Sequence, residues 1–173
     1  MPPTDIIYWD SCIFIAWLKD EKRPGNEMDG VYECVEDVEK GKILLITSVM
    51  TRTEVLEANL TDEVRNKYVN LLKRRNVQSI DQDLRVADLS RKIREYYNEQ
   101  KKIDGLPGIS SPDAIHLATA VHYRATAFYT FDDGKKGSRG LLSLDGNVAG
   151  FPLAVCKPRI RQYRLRFNMN GTS

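Results

Sequence analysis

Short apolar runs that give way to helical spacing constrain this chain more than any other feature. Residues 6–9, 43–46 and 127–131 are each the length of a strand, the run ILLI at 43–46 is apolar on both faces, and 77–80 is read as a further short strand, apolar at alternate positions. A strand with two apolar faces belongs in a parallel sheet covered by helices on both sides. The intervening segments supply candidate helices. One starts just after Asp10, runs apolar to Leu18 and is broken by Pro24-Gly25. The next, 27–39, places Met28, Val31, Cys34, Val35 and Val38 at helical spacing and closes at Gly41. Others are expected over 49–60, after the cap Thr61-Asp62-Glu63, over the amphipathic stretch 84–97, and from Pro112 through the nearly all-apolar 114–121. Residues 101–111 read as loop, and 148–156 as the place of a fifth strand. Strand and helix alternate throughout, which predicts one α/β domain around a mainly parallel sheet.

Four carboxylates sit where these runs hand over to helix or loop: Asp10, Glu54, Asp113 and Asp132. Parallel α/β folds gather the carboxyl ends of their strands on one edge, where ligands bind. Acids far apart in sequence can meet there as a site for a hard cation. Each also has a purely local explanation. Asp10 is a good N-cap. Glu54 completes a capping box with Thr51. Asp113 complements a helix dipole, and Asp132-Asp133-Gly134 makes a turn. Local explanations do not account for all four falling at matching strand ends.

Composition narrows the setting. With 173 residues, 42% of them hydrophobic, the chain can bury one real core. A net charge of +2 is too mild to argue for nucleic acid, but its distribution is uneven. The last acid is Asp145, and Lys157, Arg159, Arg161, Arg164 and Arg166 follow unopposed. Solubilising charge is the commoner reason for such a strip, and a polyphosphate partner is the alternative. Cys12, Cys34 and Cys156 are widely spaced among apolar neighbours, which predicts buried free thiols rather than disulfides or zinc ligands. The start of the chain lacks a leader pattern and no apolar run approaches a membrane span, so a cytoplasmic protein is expected.

Taken in order, Asp10-Ser11 after an apolar strand, Glu54 after the second, the segment Ser111-Pro112-Asp113-Ala114-Ile115-His116-Leu117-Ala118-Thr119-Ala120, and Thr130-Phe131-Asp132 resemble the PIN domain. The likeness is strongest to toxin ribonucleases of the VapC type and runs from about residue 5 to 145. It implies a three-layer α/β/α nuclease domain over 1–157, with a sheet of about five strands, and a basic tail over 158–173. It further implies that Asp10, Glu54, Asp113 and Asp132 bind Mg²⁺ or Mn²⁺ and hydrolyse RNA phosphodiester bonds, with Ser11 and Thr130 supporting them. Asp133 is the alternative to Asp132, which is preferred for standing two residues after Thr130. Two departures mark this chain: Cys12 where the family often has Asn or Ser, and Asp133-Gly134-Lys135 where many members have an aromatic.

His116, three residues after Asp113, is read as a packed core histidine, and His122 as a surface one. Among Lys73, Arg74, Arg75, Lys101, Lys102, Lys135, Lys136 and Arg139, the last three are best placed to hold an RNA backbone. The resemblance also implies an antitoxin protein as partner and a homodimer, with no membrane. The alternatives are a stand-alone PIN-like nuclease in RNA processing and a non-catalytic nucleic-acid-binding module. An aspartyl-phosphate transferase is disfavoured because Asp10-Ser11-Cys12 lacks a second acid.

Overall fold

The protein is described by a computed structural model over residues 5–135 and 137–160. Five strands, β1 (Asp5–Trp9), β2 (Ile43–Ser48), β3 (Val77–Ile80), β4 (Ala127–Tyr129) and β5 (Ala154–Cys156), form one sheet in the order β3-β2-β1-β4-β5. All four pairings are parallel. The expected sheet is therefore present, with β1 at its centre.

Among the described residues six α-helices connect the strands: α1 (Ser11–Leu18), α2 (Glu27–Glu39), α3 (Met50–Leu56), α4 (Asp62–Leu72), α5 (Leu84–Asp104) and α6 (Ser111–His122). Alternating side chains of β1 serve two cores. Ile7 and Trp9 pack with Phe14, Trp17, Val31, Cys34, Tyr68 and Leu71 from α1, α2 and α4. Tyr8 packs with Ile93, Tyr97, Leu117 and Leu144 on the side of α5 and α6. That two-sided burial explains why the strands are apolar on both faces. Among the described residues no disulfide joins the three cysteines; Cys34 is buried, Cys12 and Cys156 partly so.

Three local expectations are corrected. Residues 101–104 are the last turn of α5 rather than loop. The segment Asn98-Glu99-Gln100-Lys101-Lys102 has no breaker, and the helix stops only where Gly105 takes the left-handed conformation (φ 72°). α3 ends at Leu56, earlier than the expected 60. The Thr51–Glu54 capping box is not made either. Thr51 lies inside α3 with its hydroxyl 2.6 Å from that of Thr47, and Val49 caps the helix without a side-chain bond.

The start of the C-terminal segment is anchored. Lys157 Nζ pairs with Glu27 at 2.5 Å, and Pro158-Arg159 crosses α2 at Gly30, where a β-carbon would run into the backbone of both. Residues 161–173, most of the predicted basic tail, lie outside the described residues.

Candidate active site

The carboxyl edge of the sheet brings the four acids into one neighbourhood. Asp10 leaves β1 and caps α1, so its first explanation as an N-cap is correct as far as it goes: Ser11 N donates to Oδ1 at 2.8 Å. Its other oxygen faces inward. Oδ2 accepts from Thr130 Oγ1 at 2.8 Å and from Cys12 Sγ at 3.2 Å, and Asp10 is only 6% exposed. Thr130 also accepts the Asp132 N–H at 3.0 Å, which ties the exits of β1 and β4 together. Asp132 holds its own loop: Oδ1 accepts from Gly134 N at 3.0 Å and Oδ2 from Leu141 N at 3.1 Å. The turn reading of Asp132-Asp133-Gly134 is thus also right.

Asp113 stands in the first turn of α6 and exchanges bonds with its cap. The Ser110 hydroxyl donates to Oδ2 at 2.5 Å, and Asp113 N donates to that hydroxyl at 3.2 Å. Glu54 comes from α3, half-buried, with Oε2 2.9 Å from His116 Nε2. His116 Nε2 is in turn 4.0 Å from Asp10 Oδ1. The positive ends of α1 and α6 both face this cluster and offset part of its repulsion.

Electrostatics separate the members. Burial raises the pKa of Asp113, and the charges of Asp10 and Asp132 add to the rise against the Ser110 hydrogen bond. Burial also works to raise Glu54, but the His116 hydrogen bond and charge, helped by Ser11, bring it below its ordinary value. For His116 burial alone would lower the pKa; Glu54, Asp10 and Asp113 outweigh it and leave it raised. Like-charged carboxyls crowded against buried protein are a costly arrangement that a cation relieves.

The sequence matches the PIN domain family over residues 7–136, three quarters of the chain. The chain belongs to the PIN domain family. Solved structures of similar shape include the VapBC2 complex of Rickettsia felis bound to a DNA fragment from its promoter. That likeness has a TM-score of 0.58 at 16% identity and covers 87% of this chain and 98% of the other. A toxin–antitoxin complex from Klebsiella pneumoniae has a TM-score of 0.51 at 20% identity, covering 77% of this PIN domain and 95% of that chain. Comparison of the sequence with curated proteins found no match.

The donor set of this PIN domain suits a hard ion, because every candidate ligand is a carboxylate oxygen. It is not a closed cage: among the described residues no three His, Cys, Asp or Glu side chains converge as a ready coordination shell. Mg²⁺ keeps several waters and is held through one or two carboxylates, so an open, partly water-filled arrangement fits it better than a full protein shell would.

Positions of the remaining expected residues differ. Asp133 is exposed, while Asp132 is the one whose charge reaches Asp113. Lys135 is exposed on the loop after β4, and Lys136 lies outside the described residues. Arg139 is not presented to solvent. Its side chain, 8% exposed, is bidentate to Asp104, donates to Pro107 O at 3.1 Å and lies 5.0 Å from the Tyr97 ring centre. Lys73, Arg74 and Arg75 precede β3 and so lie at the amino edge of the sheet, away from the acids. A cleft of about 500 Å³ lined by Trp17, Val35, Lys67, Leu71 and Arg74 also contains none of the four. The residue sequence reasoning undervalued is His116. It is buried as expected, at 1%, yet bonds directly to Glu54; its spacing of one helical turn from Asp113 was the available signal.

Proposed function

We propose that this PIN domain is a Mg²⁺- or Mn²⁺-dependent endoribonuclease and the toxin of a toxin–antitoxin pair acting in the cytoplasm. The observation that carries the reading is the meeting of Asp10, Glu54, Asp113 and Asp132 at one sheet edge in a chain of this family. Asp10, Glu54 and Asp113 would hold the ion, with Asp132 completing the set. A divalent ion there supplies positive charge against the scissile phosphate and makes the attacking water more acidic. Thr130, Ser11 and Cys12 keep the Asp10 carboxylate in one orientation, so that little reorganisation is needed when substrate arrives. Lys135 contributes phosphate-binding charge on the loop that follows Asp132, and Lys136 is its neighbour in sequence. Arg139 instead braces the loop that carries them.

Antitoxin pairing is supported by the two similar folds having been solved as toxin–antitoxin complexes of other proteins. A bound antitoxin would cover the acidic edge, and the toxin itself would be a homodimer, which light scattering measures. The central test is the purified protein on a mixed RNA pool with Mg²⁺, with EDTA, and as Asp10→Asn. Cleavage that survives EDTA or the substitution defeats the metal-dependent reading.

A further inference from the structure

His116 has both ring nitrogens engaged although it is almost wholly buried. Nδ1 lies 2.6 Å from the Tyr8 hydroxyl, and Nε2 lies 2.9 Å from Glu54 Oε2. The partner of Tyr8 decides the direction of these bonds. The Ser48 backbone N–H donates to the Tyr8 oxygen at 2.9 Å, from the carboxyl end of β2. The phenol therefore has its own proton to donate, and Nδ1 at 2.6 Å is an acceptor in reach, with the Thr47 hydroxyl as a second neighbour that already bonds Trp9 O and Thr51. A neutral imidazole in this setting carries its proton on Nε2, facing the carboxylate. An imidazolium also carries one there. The opposite tautomer would set a bare Nε2 lone pair against Glu54 oxygen at 2.9 Å, with nothing between them. Every favourable state thus has Nε2–H donating to Glu54.

We infer that His116 is a positioning residue for the acid cluster: the chain Ser48 N–H, Tyr8 O–H, His116 Nε2–H holds Glu54 Oε2 and so fixes the orientation in which the Glu54 carboxylate meets a divalent cation. The inference rests on the proposed reading of Glu54 as a cation ligand. Tyr8 fits the role because it comes from the central strand, is fully buried and is stacked on Phe128, ring centres 4.9 Å apart. Its hydroxyl is therefore a fixed point between the second strand and the sixth helix. Burial alone would require both nitrogens to be satisfied; what marks this histidine is that the partner of Nε2 is a carboxylate of the acid cluster. Partners of this kind typically change metal affinity by about 10–100-fold when removed.

The experiment has two arms on the full chain. In the first, ring nitrogens of His116 are observed by NMR in ¹⁵N-labelled, metal-free protein, with the signal assigned by its loss in His116→Gln. The expected result is a protonated Nε2 at every pH at which the protein is folded; a bare Nε2 overturns the inference. In the second, Mn²⁺ affinity is followed by the EPR signal of free Mn²⁺. His116→Phe, which keeps a flat buried ring, should weaken binding about 10–100-fold. Tyr8→Phe should weaken it less, and His116→Gln, which restores an N–H donor, should bring affinity back towards wild type. Should His116→Phe be unfolded by circular dichroism, the ordering of wild type, Tyr8→Phe and His116→Gln decides, and equal affinities among them overturn the inference. Wild type that fails to bind Mn²⁺ overturns the metal-dependent reading and this role together. Wild type that binds it while folded His116→Phe binds equally well overturns this role alone.

Discussion

Replacing Thr130 with Val tests whether the acid cluster is held by the hydrogen bonds described above. The change keeps side-chain volume and removes one hydroxyl at a position with no solvent exposure. Two bonds go. The 2.8 Å bond to Asp10 Oδ2 is charge-assisted, a class that contributes about 1.5–3 kcal/mol. The Asp132 N–H loses its acceptor at 3.0 Å, and an unsatisfied buried donor costs about 1–3 kcal/mol. The two do not sum fully, because Cys12 Sγ remains 3.2 Å from the same Asp10 oxygen. A loss of about 2–4 kcal/mol is therefore expected, a large part of the roughly 5–15 kcal/mol that holds a domain folded. Urea unfolding in EDTA reads it directly: with a slope of about 2 kcal/mol/M, the midpoint falls by about 1–2 M at unchanged slope. Thr130→Ser keeps the hydroxyl and should stay within about 1 kcal/mol of wild type. A Val variant that loses less than that, or a Ser variant that loses as much as Val, refutes the reasoning.

Gly30→Ala should detach the segment 157–160 from α2, since the new methyl meets the backbone of Pro158 and Arg159; faster tryptic cleavage after Arg159 with the core still folded is the readout. Arg139→Lys cannot reproduce the bidentate bond to Asp104 together with the Nε bond to Pro107 O, so the loop after β4 should become more protease-sensitive, and raising salt should narrow the difference from wild type. Asp132→Asn should lower RNA cleavage more than Asp133→Asn, because Asp133 is exposed while the charge of Asp132 reaches Asp113. The pH profile has a worked sign. Folding raises the pKa of His116, so its contribution is fully present below the unfolded value of 6.5 and fades as pH rises through the folded one. Metal-free wild type should therefore lose thermal stability on going from pH 6.5 upward relative to His116→Gln, and parallel profiles for the two proteins would contradict this.

Features written in consecutive residues were legible in the sequence, and features that depend on distant partners were not. β2 could be read because burial on both faces leaves an uninterrupted apolar run, β3 only from its buried ends Val77 and Ile80 around exposed Gln78 and Ser79, and α6 because its inward stripe is nearly continuous. The four acids could be placed because a parallel sheet fixes which end of each strand lies on the common edge. The end of α5 was misread because charged residues outside a core still propagate a helix until a glycine stops it. Arg139 looked available because its partner Asp104 is 35 residues away, and the basic cluster 73–75 looked relevant until the sheet put it on the opposite edge. Thr51 and Glu54 matched a cap pattern, but tertiary partners, Thr47 and His116, outbid the local one.

The four carboxylates are not equivalent, and the inequality bears on what a cation would do. Asp10 accepts from a backbone amide, a threonine and a thiol; Asp132 accepts from two backbone amides; Glu54 has the histidine. Each of those charges is already met by a donor held in place by the fold. Among the described residues Asp113 accepts from the hydroxyl of its own cap and feels the His116 charge, while burial and the charges of Asp10 and Asp132 act against its ionised form. It is the least compensated member of the set. A divalent ion gains most where a carboxylate is least served by the protein, so its arrival should change Asp113 most. The other three need only remain where Thr130, Leu141 and His116 already hold them.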